Sequence, residues 1–260
     1  EGPVELAVTH AKVSAVADLA DTTRVRPSDW NANHSGDVSR SATRIVASST
    51  AYSTAGADYV CDGVDDHIQI QQAISALPSG GGVVQLSEGT FNVPAVALTL
   101  SSGLVLRGMG EATSLRLVNS ANGRMITSSA ALSDVSFEHL VFNGNGANQS
   151  DGAARDDRSL LFLENITGLS VVRATIKNCR HGAALRLNAC DRTLVTLSRF
   201  LDNGTVGAAF IGDHSFMSNS DWYRVLGNYY ESATDTGTAQ DGVQHSTVIG
   251  NIYNNCELGV

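Results

Sequence analysis

Residues 57–93 read ADYVCDGVDDHIQIQQAISALPSGGGVVQLSEGTFNV. Four acids, Asp58, Asp62, Asp65 and Asp66, crowd around Cys61 and Gly63, as in a metal loop, a catalytic site or a piece of scaffold. The residues after Asp66 favour scaffold. Ile70, Ala73, Ile74 and Leu77 recur at the i, i+3, i+4, i+7 spacing of an amphipathic helix. Asp66 with Gln69 three residues later fits a capping box, in which the carboxylate accepts from a first-turn N–H and the amide reaches back. Pro78 and the Gly80-Gly81-Gly82 run stop the helix. VVQLSEGTFNV then reads as two short strands around a turn at Glu88-Gly89. Asp62-Gly63 reads as a turn, and Asp58 and Asp65 receive no role.

Downstream, residues 83–260 alternate short β-prone runs with Gly and Asn, and no helical pattern exceeds two turns. Five segments stack on one another: FEHLVFNG from Phe137, VRATIKNC from Val172, LSRFLDNG from Leu197, LGNYYESA from Leu226 and IGNIYNNC from Ile249. Their seventh position is Asn143, Asn178, Asn203, Ser232 and Asn255. Asn at a repeated corner tolerates the left-handed conformation and can bond to the next rung. Degenerate strand-and-turn repeats of this length predict a solenoid whose coils stack by parallel β pairing. Of 260 residues, 42% are hydrophobic and only 17% charged, a balance that suits an all-β chain with many turns. The net charge of −9 argues against a nucleic-acid partner and repels acidic polymers over most of the surface, although a local basic patch could still bind one. No apolar run reaches membrane-spanning length. Cys61, Cys179, Cys190 and Cys256 form no CxxC pair, so buried free thiols are expected and no metal or other cofactor is. Cys179 and Cys256 share the eighth repeat position three rungs apart, too far for a disulfide.

The quoted stretch resembles the opening signature of the pectate-lyase-like right-handed parallel β-helix superfamily: an Asp-Gly-x-x-Asp-Asp run, an Ile-Gln-x-Ala-Ile helix, a triple-Gly turn, a Val-x-Leu strand and Gly-Thr-Phe/Tyr. Here the run is Asp62-Gly63-Val64-Asp65-Asp66, one residue shorter, and the close is Gly89-Thr90-Phe91. The resemblance covers about residues 45–260. It implies an all-β fold, a single-stranded right-handed parallel β-helix with an N-terminal amphipathic capping helix. The family holds polysaccharide lyases, glycoside hydrolases, epimerases and phage tailspike or tail-fibre proteins. VRPSDWNANH, residues 25–34, also resembles a short segment found in phage virion proteins ahead of adhesive or β-helical domains.

The expected organisation is an extended N-terminal arm over 1–45, an opening strand and capping helix over 46–82, and coils over 83–260. Trp30 in the arm reads either as an anchor into a partner or as a local cap on the main body. The chain starts without Met and stops mid-coil, so a longer product, or a partner over the open end, is expected. The first functional expectation is a phage virion surface protein with a β-helix stalk. It would be a homotrimer by family habit, contact other virion proteins through its arm, and touch host surface polysaccharide. The alternative is a polysaccharide lyase or glycoside hydrolase, and a weaker one is a cellular surface protein. For catalysis the stacked repeats put Asp202 and Glu231 at the same sixth position, with Lys177 on the rung before, a spacing glycoside hydrolysis can use. A solvated ladder accounts for the same residues. A second column, Asn188, Asp213 and Asp241 with His214 and His245 nearby, reads as a sugar groove, an acid/base set or turn residues. Among the late aromatics, Trp222 and Tyr223 are the candidate sugar platforms, against core or subunit contact. The Asn-Thr-Asp, Asp-Asp and Gly-His-Gly set of polygalacturonases is not found, and the Arg-x-Pro of pectate lyases is missing from the coils. The Asp151–Asp157 stretch, with Arg155 and Arg158, reads as a charged recognition loop.

Overall fold

A computed structural model of the chain describes residues 6–8, 34–36, 43–96, 98–150, 159–180, 182–204, 215–232 and 238–256. It divides into two units, Glu1–Ser41 and Ala42–Val260. In the first, Leu6–Val8 pairs antiparallel with His34–Gly36. Trp30 lies outside the described residues, as do the 151–158 loop, Asp213 and His214.

The second unit is a right-handed parallel β-helix, the hand that parallel crossovers of L-residues favour. Among the described residues its first face has nine strands, from Tyr59–Val60 and Thr43–Ala47 through Gly82–Leu86, Leu104–Arg107, Ser136–Glu138, Ser170–Val172, Leu194–Thr196 and Arg224–Leu226 to Thr247–Ile249. The second has seven, from Gly89–Val93 to Ile252–Asn254, and the third five, from Ile126–Ser128 to Thr238–Asp241. Most strands are only three to five residues long, so alternation leaves one or two side chains pointing inward and the flanking ones outward. Inward positions are mainly apolar: Leu106, Phe137 and Val171 on the first face, Leu163 and Leu187 on the third, all fully buried, with Ser128 and Thr238 as buried polar positions at the two ends of the third face.

The second face carries an internal aromatic ladder. Phe142, Ile176, Phe200, Tyr230 and Tyr253 occupy one inward column. Phe200 stacks on Tyr230 at 4.8 Å and 11°, and Tyr230 on Tyr253 at 4.9 Å and 13°. Parallel rungs repeat at about 4.8 Å, so the backbone spacing itself sets the rings at stacking distance.

Buried amides brace the corners. Asn203 is fully buried; it accepts from the Cys179 N–H at 2.9 Å and donates to the Ile176 carbonyl at 3.0 Å. Asn228 accepts from the Ser198 N–H at 2.8 Å, and Asn251 accepts from the Asn228 N–H at 2.8 Å. The amide-to-amide bond expected at the repeated corner forms from Asn178 to Asn143 at 3.2 Å, and a second, at another repeat position, joins Asn228 to Asn251 at 3.1 Å.

The register differs from the sequence stacking. Paired residues run Glu138, Val172, Thr196, Leu226, Ile249, so the segments begun at Phe137 and Leu197 are each slipped by one residue. In a strand, that slip exchanges inside for outside. Leu201, not Asp202, therefore lies opposite Glu231, and Lys177 lies opposite Leu201. Asp202 instead occupies the left-handed corner position, φ 51°, with Asn178, Ser232 and Asn255.

The opening stretch forms the lid, with a different role for Asp66. The helix spans His67–Ser75 and buries Ile70, Ala73 and Ile74. Asp66 precedes it but makes no side-chain capping bond, so the predicted box does not form. Its fully buried carboxylate accepts instead from the Gly63 N–H at 2.8 Å and the Asn92 N–H at 2.7 Å. Asp66 thus ties the Asp62-Gly63 turn to the first second-face strand. Asp62 accepts from the Val64 N–H, as its turn predicts, and Asp58 accepts from the Ile45 N–H at 2.6 Å, fixing the outermost strand. The Gly run has a packing reason beyond stopping the helix. Gly81 has φ +88°, and a Cβ there would meet the backbone of Gly103 at 2.3 Å.

Among the described residues, none of the four cysteines is in a disulfide. Burial, with Asp66 nearby, pushes the Cys61 thiol up to about 12, and burial pushes Cys190 up to about 11, so both stay protonated at neutral pH.

One outward ion pair gives the coils a pH dependence. Arg107 and Glu138 pair at 2.7 Å on neighbouring first-face rungs, and Ser136 donates to Glu138 at 2.9 Å. Partial burial opposes ionisation of Glu138, but the bonds from Arg107 and Ser136 outweigh it and hold its carboxyl below the ordinary 4.5. A lowered folded-state value contributes stability above the ordinary one, lost as pH falls through the lowered one. Glu138→Gln is therefore expected to be less stable than the parent at pH 7, with the gap closing below about pH 4. Urea unfolding at both pH values checks this; a gap independent of pH would contradict it.

Candidate functional site

The exposed corner where the third face turns into the first gathers the most distinctive side chains. Thr167, Asp191, Asp221 and Gln244 form a ladder of single bridges there. The residue after each is left-handed: Gly168, Arg192, Trp222 and His245, with φ of 81°, 51°, 53° and 49°. The fold demands that conformation at this corner, where Gly or Asn would be relaxed. A bulky Trp there is strained by roughly 1 kcal/mol. Trp222 is also 59% exposed, so core packing does not explain it.

The neighbours of Trp222 hold it in place. Its ring stacks on His245 of the next rung at 4.5 Å and 7°. His245 Nδ1 lies 2.8 Å from Asp221 Oδ1, which also accepts from the Trp222 N–H at 2.8 Å. Asp191 Oδ1 accepts from the Asp221 N–H at 3.0 Å. The bond from His245 holds the Asp221 carboxyl below its ordinary range, against a small desolvation and with help from the Trp222 N–H. The result is a preset aromatic ledge with a carboxylate beside it. Such a ledge can stack a pyranose ring while adjoining polar groups bond its hydroxyls.

The other predicted site residues fall elsewhere. Tyr223 is fully buried, and burial pushes its phenol up, so it belongs to the core and is not a sugar contact. Asp241 is exposed at the end of Thr238–Asp241, in one column with Asn188; the rung between them carries Ser218, not Asp213. Asp202 and Glu231 lie at the second face, where Glu231 accepts from Asn254 at 3.2 Å. Among the described residues, no three His, Cys, Asp or Glu side chains are grouped to hold a metal ion. The Trp222–His245 pair was readable in advance: the two residues stand 23 apart, the same interval as between the last two repeats.

No family model matches the chain, and no curated protein does. Solved structures do. ORF18 of Geobacillus virus E2 superposes with TM-score 0.59 and 19% identity, over 73% of this chain and 39% of that one. A candidate glycosyl hydrolase of Parabacteroides merdae gives 0.54 and 16%, over 74% and 89%. PfbA, a surface adhesin of Streptococcus pneumoniae, gives 0.52 and 17%, over 73% and 59%. The chain thus spans about two-fifths of the phage protein. These likenesses show the fold, and the class it defines is the parallel β-helix.

Proposed function

We propose that this chain is a non-enzymatic surface protein, carried on a phage virion, whose rigid β-helix presents the Trp222 corner to surface polysaccharide. The observation that carries the reading is an exposed Trp222 held at a left-handed corner and stacked on His245. A phage protein and a surface adhesin among its structural neighbours support a surface location, and VRPSDWNANH supports the virion. The N-terminal segment with Trp30 is the attachment end, and the assembly is a homotrimer.

Trp222→Asn is the test. Asn suits the left-handed corner, so unfolding free energy is expected to stay within about 1 kcal/mol of the parent, relieved strain offsetting the lost stack. Binding to a panel of capsular and cell-wall polysaccharides is expected to fall about tenfold or more. Unchanged binding would contradict the site. Release of shorter chains from any polymer, abolished by Asp202→Asn or Glu231→Gln, would overturn the non-enzymatic reading.

A further inference from the structure

The same corner carries two cations. Arg192 stands one rung before Trp222 at the same left-handed position. Arg224 follows Trp222 by two residues and begins the first-face strand Arg224–Leu226. Both are exposed. Their backbones are fixed: Arg192 N–H donates to the Asp221 carbonyl at 3.1 Å and Arg224 N–H to the Thr193 carbonyl at 2.9 Å. Neither guanidinium has a hydrogen-bond or ion-pair partner among the described residues. The acids between them are engaged, Asp221 by His245 and Asp191 by the Asp221 N–H.

Rung spacing puts Arg192 about 5 Å from Trp222 along the axis, and two residues of chain put Arg224 about 6–7 Å to its side. Both side chains are long enough to reach a group resting on the indole. Guanidinium forks match the oxygens of a carboxylate or a phosphate. In a chain of net charge −9, the two guanidiniums beside the exposed aromatic balance the carboxylates of Asp191 and Asp221, so this corner repels anions less than the surface at large.

Resting on the glycan-binding reading above, we infer that the ligand is an anionic saccharide. Its ring lies against Trp222, and its carboxylate or phosphodiester lies between Arg192 and Arg224.

The test is binding of the full chain to immobilised polygalacturonate, hyaluronan, polysialic acid and poly(glycerol phosphate), with dextran and mannan as neutral polymers. Each carboxylate polymer is also offered after carboxyl reduction. At least one anionic polymer is expected to bind, and a carboxylate ligand about tenfold tighter than its reduced form. Arg192→Gln and Arg224→Gln are each expected to weaken that binding about tenfold at low salt with melting temperature unchanged. A response confined to the carboxylate or to the phosphate polymers identifies the source of the anion. Equal affinity for acidic and reduced polymers, or arginine variants that bind like the parent, would overturn the inference. Binding to neutral polymers alone, lost in Trp222→Asn, would overturn the anion and keep the glycan; no binding to any polymer would overturn both.

Discussion

Tyr230→Ala is expected to destabilise the β-helix by about 4 kcal/mol, the range for emptying a buried aromatic site. Tyr230 is fully buried and lies between Phe200 and Tyr253, with both rings within 5 Å. Truncation removes its own transfer energy, leaves a cavity and breaks both stacks. The rungs on either side are held apart by backbone pairing and cannot collapse into the gap. Tyr230→Leu refills most of the volume and loses only the ring geometry, so it should cost about 1–2 kcal/mol. A solenoid couples each coil mainly to its neighbours, so the damage should be local. Amide exchange should rise over 224–254 and stay at the parent level over 82–93. Urea unfolding with exchange mapping checks both points; a cost below about 1 kcal/mol would mean that the ladder is not packed as described.

Asp66→Ala is expected to cost about 3 kcal/mol, well beyond the roughly 1 kcal/mol of a lost helix cap. The fully buried carboxylate accepts from the half-buried Gly63 and Asn92, and its removal orphans both N–H groups. Asp62→Ala is the control. Asp62 accepts only from the exposed turn N–H of Val64, which water can satisfy, and its loss should cost under about 1 kcal/mol. Chemical unfolding of the two variants separates the accounts. Equal small losses would restore the capping reading and contradict the brace.

The fold was legible because one stretch carries several independent local signals that agree. Helix periodicity, the Pro78 and Gly stop and the two short strands after it each appear in the structure where the residues place them. Asp66 was read correctly as scaffold and wrongly as a cap, because local spacing shows a helix start but not a strand arriving 26 residues later to use the same carboxylate. The register was nearly legible. Anchoring the repeats on their first apolar residue slipped two of five, since Phe137 and Leu197 are apolar but neither holds the position that Val172 and Leu226 hold. Anchoring on the central aromatic column, Phe142 to Tyr253, would have removed the slip and taken Asp202 off the strand. Tyr223 and Trp222 look alike as neighbouring aromatics, yet one is fully buried and the other 59% exposed. Only the turn geometry separates them. Arg192 escaped notice because it is 30 residues from Trp222, an interval that means proximity only once the coil length is known.

The central claim is that Trp222 forms the floor of the binding site. The chain has two tryptophans, so Trp30→Phe leaves Trp222 as the sole indole reporter. Titrating the bound polysaccharide into that protein, with calorimetry run in parallel, is the most direct measurement. The account predicts a saturable change in Trp222 emission that follows the calorimetric isotherm. Calorimetric binding with no change in emission would place the ligand elsewhere on the coils and contradict it.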